Sequence, residues 1–410
     1  MAAPRPILFT AFEPSGDELA ARLIAELRRR EPNRPFFAWG GPACEAAGAE
    51  IVEHTLEHAG VALDVLAQVP QHLARLKRLR RWLKDHPIDC LVPVDSPAAN
   101  WSVCAAVRKH CSESKVVHLV LPQVWGWASW RVHKLRRLTD QVLCLLPFEP
   151  DWLEEHRVPG VFVGHPMFSP APPGNPAGDR GGDPSAIAGS ENTPDPSSAQ
   201  DLFRGPGLPL AILPGSRKAE IQRNLPTMLR ALAEVRRRGV EIDAVLAART
   251  DADAVRMRSW MEGEGAALGP GGAAAVVVGR TRAALRAAEA ALITSGTATL
   301  QAVADDTPCA AIYNHSRWQW ELLGRWIIAT RTFTLPNLIG LWQDGERAIP
   351  EFAPHFGDPR PVAEALHGLC ADPATRDRQR RRFGGMRAVF EGVDFDRAAA
   401  DAFATAVAKP

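Results

Sequence analysis

Glycine turns that could hold an anion, and carboxylates, recur in this sequence where short apolar runs stop and helices begin. The stretch 211-AILPGSRKAEIQ-222 sets Gly215, Ser216 and Arg217 between a strand-like run and a run of helix formers. A turn there exposes free N–H groups and the positive dipole end of the helix, both of which attract anions. Gly215 lets the backbone approach closely, Ser216 adds a hydroxyl, and Arg217 offers a planar fork matched to phosphate oxygens. A plain helix cap by Ser216 with a solvated Arg217 explains the same residues equally well. A second turn of the same kind, Ser295-Gly296-Thr297, brings more amides and two hydroxyls. Two such turns point to a diphosphate rather than a single phosphate. Gln301, about one helical turn further on, can donate to or accept from a ribose hydroxyl.

The candidate acid–base groups lie nearer the N-terminus. In 10-TAFEPSGDELAARL-23, Ser15 or Asp17 suits a helix cap, which leaves Glu13 free to orient a sugar hydroxyl. Asp95 ends an apolar run in 92-VPVDSPAANW-101, where it is either a general base at a strand tip or the head of an Asx turn. Trp125, Trp127 and Trp130 cluster just before Arg131, His133 and Lys134. Core packing accounts for such tryptophans, as does a groove for lipid or sugar beside cations that suit a phosphorylated substrate. Asp251 and Asp253 form a D-x-D that reads better as a cap than as a metal holder, and no metal is assigned.

A basic helix stands apart. In 71-QHLARLKRLRRWLK-84, Leu73, Leu76, Leu79, Trp82 and Leu83 share one helical face, and Arg75, Lys77, Arg78, Arg80, Arg81 and Lys84 supply dense positive charge. The pattern fits an interfacial helix on anionic lipid or a surface helix with its leucines turned inward.

The elements that must position these residues follow from the rhythm of the chain. Strand-like runs at Pro6–Thr10, Phe36–Trp39, Ile88–Val94, Val116–Leu121, Val142–Leu146 and Val161–Val163 alternate with amphipathic helices, as in a parallel sheet covered on both faces. From about Ser169 to Gly207 Pro, Gly, Ser, Asp and Asn dominate, a composition expected of a flexible linker or insertion. The rhythm restarts at Leu210–Leu213 and continues through Asp243–Leu246, Ala274–Val278, Ala291–Thr294 and Cys309–Tyr313. The expected fold is thus α/β, with two doubly wound Rossmann-like domains facing a cleft and C-terminal helices packing back on the first domain. The expected boundaries are 1–168, 169–207, 208–355 and 356–410.

Composition narrows the function classes. A formal net charge of +1 over 410 residues does not mark a nucleic-acid binder. Seven scattered cysteines without a C-x-x-C pair suit reduced thiols in a cytoplasm, and no apolar run reaches the roughly 20 residues of a membrane span. The first strand lacks G-x-G-x-x-G after it, which disfavours a dehydrogenase.

In this order the motifs resemble lipid-A-disaccharide synthase, a glycosyltransferase family, from about Ile7 to Phe352. Ala11, Glu13, Ser15, Gly16 and Asp17 match the family's A-G-E-x-S-G-D opening, with Phe12 in place of its glycine. Leu121 to Trp127 correspond to S-P-x-V-W-A-W. Further matches are Leu146-Pro147-Phe148-Glu149, Phe162-Val163-Gly164-His165-Pro166, the two anion-holding turns, and Leu335-Pro336-Asn337-Leu338. Of the family's D-x-P-D-F-N, Asp95 and Asn100 are kept while Ala98 and Ala99 are not. Ala128 stands where an arginine is usual, with Arg131 nearby, and Gln301 stands where a glutamate is usual.

The resemblance implies a GT-B fold and an inverting transfer from UDP-2,3-diacylglucosamine to 2,3-diacylglucosamine 1-phosphate. Asp95 would be the base and Glu13 would position the acceptor. Gly215, Ser216, Arg217, Ser295, Gly296, Thr297, Gln301 and Asn337 would hold the UDP, and Ser15, Asp17, Asn100, Trp125, Trp127 and Arg131 would line the acceptor side. No metal or other cofactor is expected. The protein would be cytoplasmic and peripheral on the inner membrane through Leu76, Arg78, Leu79, Arg81 and Trp82, with a homodimer through the C-terminal helices as an option. A diverged UDP-sugar transferase and a non-catalytic nucleotide-sugar or lipid-binding homologue are the alternatives.

Overall fold

Short apolar runs bounded by Gly, Pro and polar turns are stable only as strands covered on both faces, and two such sheets form. The computed structural model describes residues 4–56, 65–170, 201–263, 274–315, 317, 320, 330 and 332–408, apart from the side chains of 65–72. Most of the expected linker, 171–200, lies outside the described residues. The chain divides into one unit of Met1–Ile187 with Gly392–Pro410 and another of Ala188–Glu391.

The first unit runs β1 (Ile7–Thr10), α1 (Pro14–Arg30), β2 (Phe36–Gly40), α2 (Pro42–Ala46), β3 (Glu50–His54), α3 (Val65–Asp85), β4 (Cys90–Pro93), α4 (Pro97–His110), β5 (Lys115–Leu119), α5 (Val132–Leu138), β6 (Gln141–Cys144), α6 (Glu149–Glu155) and β7 (Gly160–Phe162). Its sheet has the order β3-β2-β1-β4-β5-β6-β7, with parallel pairing throughout. One core layer gathers Phe9, Leu23, Ile24, Val92 and Leu143; the other gathers Leu8, Trp39, Leu79, Val116 and Leu135. The order reverses between β1 and β4, so the turns that leave these two strands are neighbours.

The second unit runs β8 (Leu208–Leu213), α7 (Lys218–Arg237), β9 (Ile242–Ala248), α8 (Asp251–Gly263), β10 (Ala275–Val278), α9 (Thr281–Ala287), β11 (Ala290–Thr294), α10 (Thr297–Ala304), β12 (Cys309–Asn314), α11 (Leu335–Asp344), β13 (Glu351–His355), α12 (Pro359–Ala371) and α13 (Pro373–Phe390). The sheet order β10-β9-β8-β11-β12-β13 is again parallel and switches between β8 and β11. The chain then returns to the first unit as α14 (Phe395–Val407), whose Phe395, Ala399, Ala400 and Phe403 enter the core layer under α1. The C-terminal helices α12 and α13 belong to the second unit, and Val362, Leu366 and Leu369 of α12 lie in its core.

Periodicity misses β3 and β13. Both are edge strands of mixed sequence with a register shift against their neighbour, and most of their residues are half-buried. Such strands lack the continuous apolar run that marks the central ones.

Candidate active site

The switch point of the first unit brings two carboxylates together. Glu13 ends the turn after β1 and is exposed; Asp95 follows β4 and is partly buried. Burial first, and then repulsion from Glu13, raise the Asp95 carboxyl to about 6, opposed by a hydrogen bond from the Ser96 amide. A carboxylate at that value is ionised at neutral pH and basic enough to take a proton, as a general base requires.

Its backbone is held in an unusual shape. Asp95 and Ser96 both occupy the left-handed region, with φ of 42° and 39°. Two consecutive non-glycine residues there cost of the order of 1–3 kcal/mol each, so surrounding bonds must impose the conformation. The Asp95 N–H donates to the Leu119 carbonyl at 3.1 Å, and Val94 N–H donates to that of Thr10 at 2.9 Å. Asn100, buried at the start of α4, donates its amide to Val94 O at 2.9 Å and Asp95 O at 2.8 Å and accepts from Thr10 Oγ1 at 2.7 Å. Asn100, expected from the sequence on the acceptor side, therefore frames Asp95 from within the fold.

Asp17 is likewise corrected. It is buried, and its carboxylate accepts from Gly41 N–H at 2.7 Å and Ala43 N–H at 2.9 Å, which ties α1 to the start of α2. Neither it nor Ser15 caps α1, whose N-cap residue is Glu13. Ser15 is half-buried in the first turn.

Sequence reasoning misses a third carboxyl at this site. Glu149, at the start of α6, is buried; Oε2 accepts from Leu146 N–H at 3.0 Å and Oε1 from Trp125 Nε1 at 3.1 Å. Burial lifts it to about 8 against those hydrogen bonds, with a further upward push from Asp95. The only signal in the sequence is Glu149's place in the Leu-Pro-Phe-Glu run, which gives no burial cue. Trp125 also meets Phe148 edge-on at 5.3 Å. Trp127 is 41% exposed, with the Arg131 guanidinium 4.3 Å from its ring centre; Arg131 and Lys134 also lie over Trp101, at 5.6 and 4.5 Å.

In α3, Leu76 and Leu79 are buried in the core, Arg78 pairs with Glu53, and Trp82 packs on Phe37 and His86. The leucines thus cannot provide the expected membrane contact, because the sheet already covers that face. Arg81 remains exposed.

The switch point of the second unit joins the two glycine turns expected to hold an anion. Gly215 has φ 121°, a value that favours glycine, and Arg217 extends into solvent with its side chain 78% exposed. Ser295, Gly296 and Thr297 follow the neighbouring strand β11; a Cβ on Gly296 would meet nothing within 4 Å. Beneath both turns, Asn224 donates to Thr294 Oγ1 at 3.1 Å and accepts from Asn314 N–H at 2.8 Å. This buried polar network fixes the ends of β11 and β12 to α7.

Two expected UDP contacts are used elsewhere. Gln301 is buried, its amide donating to Asp305 at 2.8 Å. Asn337 is fully buried and makes four hydrogen bonds, to Ala348 N–H, Ile349 N–H, Ile349 O and Glu351. Asn337 has both polar atoms satisfied inside the fold, whereas the Gln301 amide bonds the residue that caps the end of its own helix α10. In the D-x-D stretch, Asp253 is buried, bonds Thr250 and pairs with Arg256. Among the described residues no group of three His, Cys, Asp or Glu side chains could hold a metal ion.

Known proteins fit this arrangement. The model of the Lipid-A-disaccharide synthetase family matches residues 7–180 and 202–397. Relatives named Lipid-A-disaccharide synthase include one from Idiomarina loihiensis, 30% identical over 88% of this chain and 89% of its own length. Another, from Salmonella agona, is 31% identical over 92% of both. Among solved structures, the glycotransferase of kitacinnamycin aligns over 98% of this chain and 99% of its own with a TM-score of 0.57 and 16% identity, a likeness of fold and of the GT-B type. With a family model spanning nearly all of its folded elements, the chain belongs to the lipid-A-disaccharide synthetase family and is a glycosyltransferase.

Proposed function

We propose that this glycosyltransferase of lipid A biosynthesis joins UDP-2,3-diacylglucosamine to 2,3-diacylglucosamine 1-phosphate. The observation that carries the reading is Asp95, a partly buried carboxylate lifted to about 6 and framed at the switch point beside Glu13. Asp95 accepts the proton of the acceptor's 6-hydroxyl as that oxygen bonds to the anomeric carbon; the bond to the UDP oxygen breaks and configuration inverts. Glu13 positions the acceptor. Gly215 to Arg217 and Ser295 to Thr297 stabilise the charge that grows on the departing diphosphate, with no metal assigned.

Mass spectrometry of UDP and disaccharide formed by the purified protein in detergent tests this. Disaccharide that disappears in Asp95→Asn, with UDP binding retained, is the expected result. Tight UDP binding without turnover on any acceptor would favour the non-catalytic homologue.

Among the described residues no helix is long and apolar enough to cross a membrane. Attachment to the inner membrane surface therefore falls, in our reading, to exposed cations of α3 such as Lys77, Arg80 and Arg81. Co-sedimentation with anionic liposomes that persists after their replacement by serine would argue against it.

A further inference from the structure

The first anion-holding turn already contains an anion. The Glu220 carboxylate, in the first turn of α7, accepts through Oε2 from Ser216 N–H at 3.1 Å and Arg217 N–H at 3.2 Å, and through Oε1 from Arg217 Nη1 at 2.9 Å. Two backbone amides and a guanidinium are the donors a phosphate would use there. The fit is close: a Cβ on Gly215 would lie 2.6 Å from Glu220 Cβ and 2.9 Å from Oε2. The glycine is required by Glu220 as well as by its own φ. By contrast, the turn at Gly296 on the adjacent strand opens onto free space.

We infer that Glu220 is a resident anion in the diphosphate seat, displaced when a nucleoside diphosphate binds. The inference rests on the proposed role of the Gly215–Arg217 turn. The Ser216 and Arg217 amides each have one hydrogen to donate, so they cannot serve Glu220 and a phosphate oxygen together at full strength. Like-charge repulsion drives the same exchange. Arg223, one turn further along α7 and exposed, is the next cation for the displaced carboxylate to reach. Glu220 thereby keeps the free turn ordered while lowering its affinity for nucleotide.

Isothermal calorimetry with UDP on the full chain tests the exchange. Glu220→Gln is expected to tighten UDP about threefold to tenfold, and Arg217→Ala to weaken it about tenfold. Glu220→Ala, a second variant in case the first folds poorly, should tighten it as well, although loss of the cap lowers its melting temperature. If Arg217→Ala weakens UDP but both Glu220 variants bind unchanged or more weakly, the seat stands and Glu220 is only a cap. If Arg217→Ala leaves UDP affinity unchanged, the seat itself is misassigned and the inference falls with it. A helix cap alone cannot produce tighter binding in a less stable protein.

Discussion

Asn100 donates its side-chain amide to the carbonyl oxygen of Asp95 at 2.8 Å, five residues before it, and so locks the backbone that carries the proposed base. The same amide holds Val94 O, and Asn100 Oδ1 takes the Thr10 hydroxyl. Asn100→Ala leaves three buried polar groups unpaired, at a cost of about 2–4 kcal/mol in the first unit. Turnover should fall at least tenfold at a temperature where the variant is folded, with UDP affinity unchanged. A denaturant melt, a rate and a UDP titration check this; full turnover in folded Asn100→Ala would show that the frame is dispensable. Asn100→Asp should be worse, since it sets a carboxylate against two carbonyl oxygens.

The pH profile reads Asp95 directly. A base must be ionised, so kcat/KM should fall on acidification with an apparent pKa near 6. Glu13→Gln removes the nearby negative charge and should move that limb to lower pH, even though it also slows the reaction. An acid limb that stays in place would remove Glu13 from the electrostatics of the base. Stability runs the other way: the folded carboxyl binds its proton more tightly than the unfolded one. Its contribution is present below about 3.8 and lost as pH rises through about 6.

Glu149 makes the larger contribution of this kind, because its burial is complete. Its raised value means stability present below the ordinary glutamate value of 4.5 and lost as pH rises through about 8. Glu149→Gln keeps an oxygen for Trp125 Nε1 and forfeits the Leu146 amide, a constant offset at every pH. Urea melts at pH 5 and pH 8.5 separate the two effects. Between them the wild type should lose several kcal/mol relative to the variant, because holding a proton a tenfold more tightly in the folded state is equivalent to about 1.4 kcal/mol. Parallel pH dependence in the two proteins would mean that the carboxyl ionises at no cost.

What the sequence revealed depended on period and punctuation. Central strands such as β4 and β11 are continuous apolar runs, and the turns after them carry Asp95 and Ser295-Gly296-Thr297, so both fold class and switch-point residues were legible. Side-chain direction was not. Asp17, Asn100, Gln301 and Asn337 are polar residues near strand ends or early in helices, where a ligand contact and a buried bracket have the same spelling. Only the packed fold shows which amides face them. Leu76 and Leu79 pose the same difficulty in apolar form, since a leucine stripe suits a sheet and a bilayer alike.

Asn337 offers the sharpest test of that distinction. Its Oδ1 takes the amides of Ala348 and Ile349 at 2.7 and 2.9 Å, and its Nδ2 reaches Ile349 O at 3.1 Å and Glu351 Oε2 at 2.7 Å. Glu351 in turn accepts from Phe333 N–H and the Thr334 hydroxyl, so one asparagine joins α11, the approach to β13 and the segment before α11. Asn337→Ala should cost about 3 kcal/mol, as expected for buried groups left without partners. Because every polar atom of the side chain is already committed, UDP affinity of the folded variant should stay within about twofold, below about 0.5 kcal/mol. A residue that touched the nucleotide would give the opposite pattern, with weak UDP binding in a protein that melts almost as the wild type does.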